Sequence, residues 1–185
     1  MKSQPSITFE ESDTLISIVG LGSNQDSRNG SKFEIICKAI NSLEELSSRP
    51  SIISSFYESE PEFCPPDSPI FVNLVAVLFL PVNAEPMRFF RCVQKLEKRL
   101  GRVRSRGINE PRPIDIDLLF FGKKSISSDY LTIPHPRAVK RRFVLEPLAE
   151  IAPDLILPGQ EFSVVELLSR LPNNGWVRKF QANQL

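Results

Sequence analysis

Apolar residues follow two patterns along the chain, one typical of strands and one typical of helices. Residues 15–21 and 71–80 are apolar almost throughout. Residues 52–58 and 112–121 are shorter mixtures of isoleucine, leucine, aromatic and polar side chains. Each stretch is short and β-branched or aromatic in character, so we predict four strands.

Two predicted helices separate these strands. Ser31 and Glu34 match a capping box, and the apolar residues that follow recur at helical spacing. A second helix is predicted over residues 84–100, with Asn83 as its cap and Gly101 at its end. The order strand, helix, strand, strand, helix, strand predicts an α+β fold of the ferredoxin-like (βαββαβ) type, an antiparallel sheet with helices packed on one face.

The rest of the chain adds smaller features to this fold. Residues 61–69 form a proline-rich loop, and a C-terminal extension from residue 123 includes a turn at residues 133–136 and a helix near residues 162–171. We expect residues 1–13 to be a mobile N-terminal extension and residues 14–185 to form a single domain.

Charge is balanced overall but clustered locally. The 185 residues carry a net charge of +1, which excludes a bulk attraction to nucleic acid or membrane. Residues 95–112 nevertheless hold seven Lys or Arg against two acids, and residues 137–142 hold four more. Two basic clusters on a nearly neutral protein favour a small polyanionic ligand.

The cysteine pattern and the N-terminal segment indicate the cellular compartment. The three cysteines lack the CxxC spacing of zinc sites, and their odd number argues against a disulfide framework. The N-terminal segment is acidic without the apolar stretch of a signal peptide, and no run is long enough to span a membrane. We therefore expect a cytoplasmic protein.

Two carboxylates stand out in the fourth predicted strand. Asp115 and Asp117 are two residues apart and therefore share one face, while Ile114, Ile116 and Leu118 fill the other. Paired with nearby arginines, the acids would be purely structural. Alternatively, they could hold Mg²⁺, which takes hard oxygen ligands and often binds one or two carboxylates together with substrate phosphates.

The basic residues before this strand admit two readings as well. Arg102, Arg104, Arg106 and Arg112 could form a solvated surface, or they could bind phosphate groups through bidentate guanidinium contacts. Next to a candidate magnesium site, the second reading favours phosphoryl transfer.

Four further side chains are candidates for ligand binding. His135, the only histidine, lies between two prolines and could be structural or contact a phosphate. Asn73 interrupts an apolar strand, and its amide could read the edge of a heterocycle. Phe71 and Phe143 could flank such a ring or belong to the core.

Six segments occur in an order that resembles one known family. They are GLGSN at residues 20–24, SSFYESEP at 54–61, FVNLV at 71–75, LEKRLGRVR at 96–104, PRPIDIDLLFFG at 111–122 and LTIPHPRAVKRRFVLEPLAEIAP at 131–153. Together they resemble the 6-hydroxymethyl-7,8-dihydropterin pyrophosphokinases of folate biosynthesis. The resemblance extends from residue 15 to residue 158, and its specific segments are the last two.

The resemblance implies both a fold and an activity. The fold would be ferredoxin-like, and the enzyme would transfer pyrophosphate from ATP to 6-hydroxymethyl-7,8-dihydropterin, giving the pterin diphosphate and AMP. It implies two Mg²⁺ ions as cofactors and ATP as co-substrate. Small-molecule substrates would be its partners, with other folate-pathway enzymes as further candidates, and neither nucleic acid nor membrane is implied.

The resemblance also assigns roles to individual residues. Arg102 and Arg112 match arginines that assist the transfer, and Asp115 and Asp117 match the ligands of the two Mg²⁺ ions. The positions that match the ATP site are Gln94, Glu97, Arg104, Thr132, His135 and Arg141. The positions that match the pterin pocket are Ser59, Phe71, Asn73 and Phe143, with the two phenylalanines sandwiching the ring.

The segment before the fourth strand departs from the family pattern. Glu110 stands where the family commonly has glycine, and Asn109 where an aromatic residue is frequent. A second arginine of the family would fall at Ile108, with Arg106 as a substitute. These departures keep open a catalytically weak or inactive homologue that binds nucleotide and pterin. A ferredoxin-like nucleic-acid-binding module is the other alternative, although the aromatic-glycine signature of RNA-recognition domains is missing.

Overall fold

The computed structural model describes residues 7–9, 13–103, 110–173 and 175–181. Its main elements in chain order are β1 (Thr14–Ser23), α1 (Lys32–Glu44), β2 (Ile52–Ile53), β3 (Tyr57–Ser59), β4 (Phe71–Pro81), α2 (Pro86–Arg99), β5 (Asp115–Phe121), β6 (Ile126–Ser127), β7 (Thr132–Ile133), a 3-10 helix (Ala138–Lys140), α3 (Arg142–Ile151), α4 (Val164–Arg170) and β8 (Val177–Lys179).

The main sheet is antiparallel and has the predicted topology. Its strand order is β5-β1-β4-β3-β8, and β2 pairs with β4. Strand β4 lies between β1 and β3, which therefore run parallel to each other, as in a split βαβ arrangement. Strands β6 and β7 form a separate two-stranded sheet. The predicted α+β, ferredoxin-like fold is confirmed.

The two faces of the sheet pack against two different pairs of helices. Strand β4 alternates between them: Leu74 and Ala76 belong to the core cluster with α1 and α2, whereas Val75 and Val77 belong to the cluster with α3 and α4. This alternation follows from the two-residue period of a strand. The predicted pair of helices on one face corresponds to α1 and α2, and the C-terminal extension covers the other face.

Helix α3 is the element that the sequence pattern did not indicate. Pro147 lies inside it, and proline in a helix interior removes a backbone hydrogen bond, which argues against a helix. Yet Leu145 and Leu148 are completely buried against the sheet. Their packing outweighs the local cost of the proline.

The helix starts were predicted with mixed success. Ser31 and Glu34 form the predicted capping box of α1, with the Ser31 N–H donating to Glu34 Oε2 over 2.8 Å. At α2, Pro86 occupies the first turn as expected, but the N-cap residue is Glu85 and makes no side-chain capping bond. The prediction that Asn83 caps α2 is wrong, because the helix begins two residues later.

The second predicted strand is divided into β2 and β3. At the break, Ser54 Oγ accepts a hydrogen bond from the Val75 N–H over 3.0 Å and donates to the Ser55 carbonyl over 2.8 Å. A side-chain hydroxyl thus replaces a backbone carbonyl in the ladder. The break between β2 and β3 therefore does not leave the Val75 N–H unpaired.

The N-terminal segment and the cysteines complete the description. Ile7 and Phe9 pack against the core cluster that includes α3, while residues 1–6 and 10–12 lie outside the described residues. The mobility of residues 1–13 and the single domain of residues 14–185 stay predictions. Cys37, Cys64 and Cys92 are free, and no helix in the described ranges is long and apolar enough to cross a membrane.

The burial of α3 makes a testable prediction for stability. Leu148→Ala should lower the free energy of unfolding by about 2–5 kcal/mol, because it leaves a cavity beneath the sheet. Urea titration followed by circular dichroism measures the change. Val165→Ala on α4 is the control, since this side chain is 46% exposed and its truncation leaves no cavity. Equal effects of the two substitutions would contradict the packing role of α3.

Candidate active site

The candidate residues meet because of the register of three neighbouring strands. Asp115 lies opposite Gly22, which lies opposite Asn73, and Asp117 lies opposite Gly20. Directly paired residues project to the same side of a sheet, so both acids and the amide share the face covered by α3. The isoleucines between and before the acids belong to the other core cluster, which confirms that the two carboxylates share one face.

The glycines of β1 provide the floor between the acids and the amide. A Cβ atom at Gly22 would lie 3.4 Å from Asn73 Oδ1 and 3.6 Å from the Phe71 ring. A Cβ atom at Gly20 would lie 3.3 Å from Leu119. The absence of side chains at these two positions keeps the sheet surface open. This explains why the GLGSN segment has glycine at positions 20 and 22.

A pocket, here called the inner pocket, lies over this floor. It is lined by Gly20, Leu21, Gly22, Ser59, Glu60, Glu62, Phe63, Cys64, Phe71, Asn73, Leu74, Val75, Arg112, Asp115, Asp117, Leu119, Arg141, Phe143 and Val144. All four residues predicted for the pterin pocket are therefore brought together.

Polar and aromatic groups of the inner pocket are held in defined positions. Asn73 Nδ2 donates a hydrogen bond to Ser59 Oγ over 2.9 Å. The guanidinium carbon of Arg112 lies 5.1 Å from the centre of the Phe71 ring, and that of Arg141 lies 5.1 Å from the centre of the Phe143 ring. Each phenylalanine thus carries a cation near its face, a favourable arrangement that also brings the arginines to the pocket.

A second depression, here called the outer cleft, lies on the other side of the acids and has a volume of about 610 Å³. It is lined by Phe90, Glu97, Arg102, Val103, Glu110, Pro111, Arg112, Asp115, Ile116, Asp117, Leu118, Ser128, Asp129, Tyr130, Leu131, Thr132, His135, Pro136, Arg137 and Arg141. This volume is within the usual range for small-molecule sites.

Most of the residues predicted to bind ATP line the outer cleft. Glu97, Thr132, His135 and Arg141 do so, as do the two predicted catalytic arginines. Gln94, on α2, is not among the lining residues. Arg104 lies outside the described residues. The roles of all these residues stay predictions.

Four side chains line both depressions. They are Arg112, Asp115, Asp117 and Arg141. The inner pocket and the outer cleft therefore meet at two carboxylates and two guanidinium groups. A ligand in one depression and a phosphate-bearing ligand in the other would contact the same charged groups.

A chain of ion pairs surrounds Asp115. Arg102 pairs with both Asp115 and Glu97, and Arg112 Nε lies 2.7 Å from Asp115 Oδ2. Glu97 Oε1 also accepts a hydrogen bond from the Ile116 N–H over 2.8 Å. Asp115 is therefore paired with two nearby arginines in the structure.

The carboxylate charge of Asp117 is less closely compensated by arginine than that of Asp115. Arg141 Nη1 lies 3.6 Å from Asp117 Oδ2, beyond ordinary hydrogen-bond distance. Burial and the neighbouring Asp115 carboxylate raise the pKa of Asp117 to about 6, although Arg141 and Arg102 oppose the shift. Burial also raises the pKa of Glu97, against the opposing effect of Arg102. The charged forms of Asp117 and Glu97 are therefore incompletely stabilised by their surroundings.

The donor set fits a hard divalent cation. In the described ranges, no group of three or more His, Cys, Asp or Glu residues is placed to hold a metal ion by itself. Two carboxylates on one face, with the pKa of Asp117 raised by burial and by its neighbour, suit an ion that also takes oxygen ligands from a bound phosphate. Zinc-type ligation would need nitrogen or sulfur donors.

Asn24 is a positioning residue that the sequence pattern did not single out. Its Oδ1 accepts from the Arg112 N–H over 2.8 Å, and its Nδ2 donates to the Pro69 carbonyl over 3.2 Å. It is 3% exposed. Asn24 therefore ties the segment before β5 to the proline-rich loop. Its place directly after β1 was the available signal.

Comparison with known proteins agrees with this geometry. The model of the 7,8-dihydro-6-hydroxymethylpterin-pyrophosphokinase (HPPK) family matches residues 18–153. The chain belongs to this family. The matched region includes both acids, the glycine floor and the predicted pocket residues.

Relatives of two kinds share this region. The 2-amino-4-hydroxy-6-hydroxymethyldihydropteridine pyrophosphokinase of Pseudomonas aeruginosa is 38% identical over 158 residues, which cover 85% of this chain and 92% of that protein. Folic acid synthesis protein fol1 of Pneumocystis carinii is 36% identical over 155 residues, but these cover 83% of this chain and 20% of that protein. The chain therefore spans about a fifth of the length of the fungal relative.

The fold is also shared with a solved structure. Plasmodium falciparum HPPK-DHPS, crystallised with pterin and p-hydroxybenzoate, superposes with a TM-score of 0.65 at 15% sequence identity. The match covers 88% of this chain and 44% of that one. At this identity the likeness supports the ferredoxin-like fold.

The environment of His135 predicts its protonation state. Burial and the charges of Arg141 and Arg137 lower the pKa of His135 to about 4, so the imidazole should be neutral from pH 5 to pH 8. Because His135 is the only histidine, its ring proton signals can be followed by NMR without assignment. Urea-unfolded protein is the control, with an expected midpoint of about 6.5.

The sign of the accompanying stability effect follows from the depressed pKa. Between about pH 6.5 and the folded value near 4, the unfolded chain binds the proton and the folded chain does not. This residue therefore lowers stability as the pH falls through that range. A midpoint near 6.5 in the folded protein would contradict the described environment.

Proposed function

We propose that the protein transfers pyrophosphate from ATP to 6-hydroxymethyl-7,8-dihydropterin, producing the pterin diphosphate and AMP in folate biosynthesis. The observation that carries this proposal is the meeting of two depressions at one charged centre, formed by Asp115, Asp117, Arg112 and Arg141. Membership of the HPPK family and the names of the relatives support it.

The inner pocket has the chemistry of a pterin site. Phe71 and Phe143 offer aromatic faces for a planar ring, and Asn73 offers an amide to its polar edge. Asn73 is buried and already donates to Ser59, which fixes the orientation of its amide. A buried amide with a fixed orientation favours rings with the complementary donor and acceptor pattern.

The outer cleft has the chemistry of a nucleotide triphosphate site. Arg102, Arg112 and Arg141 place guanidinium groups along it, and Thr132 and His135 add polar groups. Guanidinium groups bind phosphate oxygens in a bidentate manner. The neutral state of His135 at pH 7, caused by its lowered pKa, suits hydrogen bonding to the nucleotide without added charge.

The chemical step needs alignment more than side-chain chemistry. The hydroxymethyl oxygen attacks the β-phosphorus, a new P–O bond forms, and the bond between the β-phosphorus and the oxygen bridging to the α-phosphate breaks. That oxygen leaves with AMP, and the hydroxyl proton passes to solvent. Arg102 and Arg112 stabilise the charge that develops on the transferring oxygens.

Asp115 and Asp117 would hold the two Mg²⁺ ions of the proposed reaction. When bound, these ions would neutralise phosphate charge and polarise the phosphoryl oxygens. Binding would compete with the ion pairs that Arg102 and Arg112 now make with Asp115, and it would free both guanidinium groups for the phosphates.

The two alternatives differ in how they fit the fold. A nucleic-acid module of the RNA-recognition type needs an open sheet face for stacked bases, whereas here core clusters cover both faces of the sheet. A weak or inactive homologue is favoured by Glu110, which brings a carboxylate to the rim of the outer cleft. The experiments below separate it from an active enzyme.

We further infer a cytoplasmic location and small-molecule partners. Three free cysteines fit a reducing compartment. The names of HPPK-DHPS of Plasmodium falciparum and of the folate synthesis bifunctional protein of Arabidopsis thaliana each indicate two functions in one protein. Contact with other folate-pathway enzymes is thus a reasonable extension of the proposal.

The first test is the identity of the nucleotide product. Purified protein with ATP, Mg²⁺ and the dihydropterin should release AMP and not ADP. Asp115→Asn or Asp117→Asn should reduce this release by roughly 100-fold or more, as expected when a charge-stabilising group is removed. Asp154→Asn, an exposed aspartate outside both depressions, is the control and should keep full activity.

The outcome decides between the readings. AMP release unchanged in both variants would refute the metal assignment. Folded protein that binds ATP and the pterin but releases no AMP would support the inactive homologue. Tight RNA binding without pterin affinity would support the nucleic-acid module.

A second test concerns Glu110 at the cleft rim. Glu110→Gly, or Glu110→Gln to remove only the charge, should lower the KM for ATP roughly twofold to fivefold at low salt, and added salt should diminish the gain. Steady-state kinetics at two ionic strengths measure this. Glu85→Gln, at the start of α2 and outside the cleft, is the matched control. An unchanged KM would mean that Glu110 is tolerated.

A further inference from the structure

The segment after α4 adds an outer strand beside the inner pocket. Strand β8 pairs antiparallel with β3, with Ser59 opposite Val177, Glu58 opposite Arg178 and Tyr57 opposite Lys179. The family match ends at residue 153, so this strand lies outside it. Strand β3 has three residues, and β8 gives it a second hydrogen-bonded neighbour beside β4.

Side-chain and backbone contacts hold β8, and the residue that follows it, against the sheet. Arg178 Nε donates to Glu58 Oε2 over 2.9 Å, and Glu58 is 8% exposed. Beyond the strand, the Phe180 N–H donates to the Phe56 carbonyl over 2.8 Å, and its ring centre lies 4.7 Å from that of Phe33. These contacts define a register, which backbone pairing of three residues alone would specify weakly.

Lys179 connects the segment to α3 as well. Its Nζ lies 2.8 Å from Glu150 Oε1, and Glu150 also accepts from the Ser55 N–H over 2.9 Å. Helix α3 carries Phe143, one of the aromatic walls of the inner pocket. Strand β8 therefore holds together two elements that line the pocket.

The segment reaches the pocket itself through Glu60. The Trp176 N–H donates to Glu60 Oε1 over 2.9 Å, and Glu60 lines the inner pocket next to Ser59. Gly175 has a φ of +80°, and a Cβ atom there would lie 2.5 Å from Glu60 Oε1. The positive φ favours glycine here, and a larger residue would displace the Glu60 carboxylate.

These contacts connect the C-terminal segment to Asn73, the amide proposed to bind the polar edge of the pterin ring. Strand β8 fixes β3, β3 carries Ser59, and Ser59 Oγ accepts the hydrogen bond of Asn73 Nδ2. We propose that residues 175–180 position the wall of the inner pocket, so that affinity for the dihydropterin depends on this segment while affinity for ATP does not.

Apart from the four residues shared with the inner pocket, the residues of the outer cleft lie elsewhere, on and after α2, on and before β5, and around β7. Strand β8 packs against β3 and α3. A segment that merely stabilised the fold would affect both substrates alike. A positioning segment instead predicts a separation of the two affinities. This inference rests on the proposed function, because it concerns the pterin substrate of that reaction.

The test uses the full-length protein with Gly175→Ala, which pushes a methyl group toward Glu60. Its matched control is Gly159→Ala, because Gly159 has a φ of +77° and nothing within 4 Å of a Cβ atom. Both substitutions introduce the same backbone strain, and only the first disturbs the pocket wall. A second variant, Arg178→Ala, removes the ion pair with Glu58, and Arg178→Lys should partly restore it.

We expect Gly175→Ala and Arg178→Ala to raise the KM for the dihydropterin roughly tenfold, the equivalent of about one lost hydrogen bond. The KM for ATP should stay within about twofold in both variants, as should both constants in Gly159→Ala. Calorimetric titration with the dihydropterin in the presence of a non-hydrolysable ATP analogue measures the same loss without turnover. Circular dichroism checks that each variant is folded.

The outcomes separate this inference from the proposed function. Wild-type activity with unchanged pterin affinity in both variants would overturn the positioning role and leave the function standing. Equal losses for ATP and pterin would also overturn it, since they indicate a general structural role. Wild-type protein that neither binds nor uses the pterin would overturn both. A selective pterin loss, partly restored by lysine at position 178, would support it.

Discussion

Two carboxylates on one strand face impose the constraint on which the site depends. Asp115 and Asp117 cannot be buried side by side without cations, because like charges at this separation repel in a poorly solvated environment. Arg102 and Arg112 compensate Asp115 closely, whereas the pKa of Asp117 is raised to about 6. An incompletely stabilised carboxylate favours a further cation, and two of the arginines beside the acids, Arg112 and Arg141, line both depressions.

The sheet accommodates the two acids because glycines lie opposite them on the neighbouring strand. Gly20 and Gly22 lie directly opposite the two aspartates and leave space on the same face as Asn73. On the opposite face, Ile116 and Leu118 anchor the strand in the core beside α1 and α2. The same alternation therefore stabilises the fold on one side and keeps a reactive surface on the other.

Supporting groups are drawn from parts of the chain that are far apart in sequence. Asn24 holds the backbone of Arg112, Ser59 orients Asn73, and Glu58 fixes the last strand through Arg178. The partnerships of these residues do not follow from a local pattern. They join positions 88, 14 and 120 residues apart, so only the folded chain identifies them. The inner pocket thus depends on segments beyond the region that defines the family.

The sequence by itself determined the order of the main strands and helices, the shared face of the two aspartates and the family. These features depend on local rules, namely the two-residue period of strands, capping chemistry and motif spacing. Tertiary structure decided which groups neutralise the acids, that residues around Pro147 form α3, that β2 and β3 separate at Ser54, and that β8 closes the sheet beside β3. In each case the outcome depends on packing or hydrogen bonding between residues that are distant in sequence. The energies of such contacts cannot be inferred from a short stretch of sequence, because local propensity is only a weak guide.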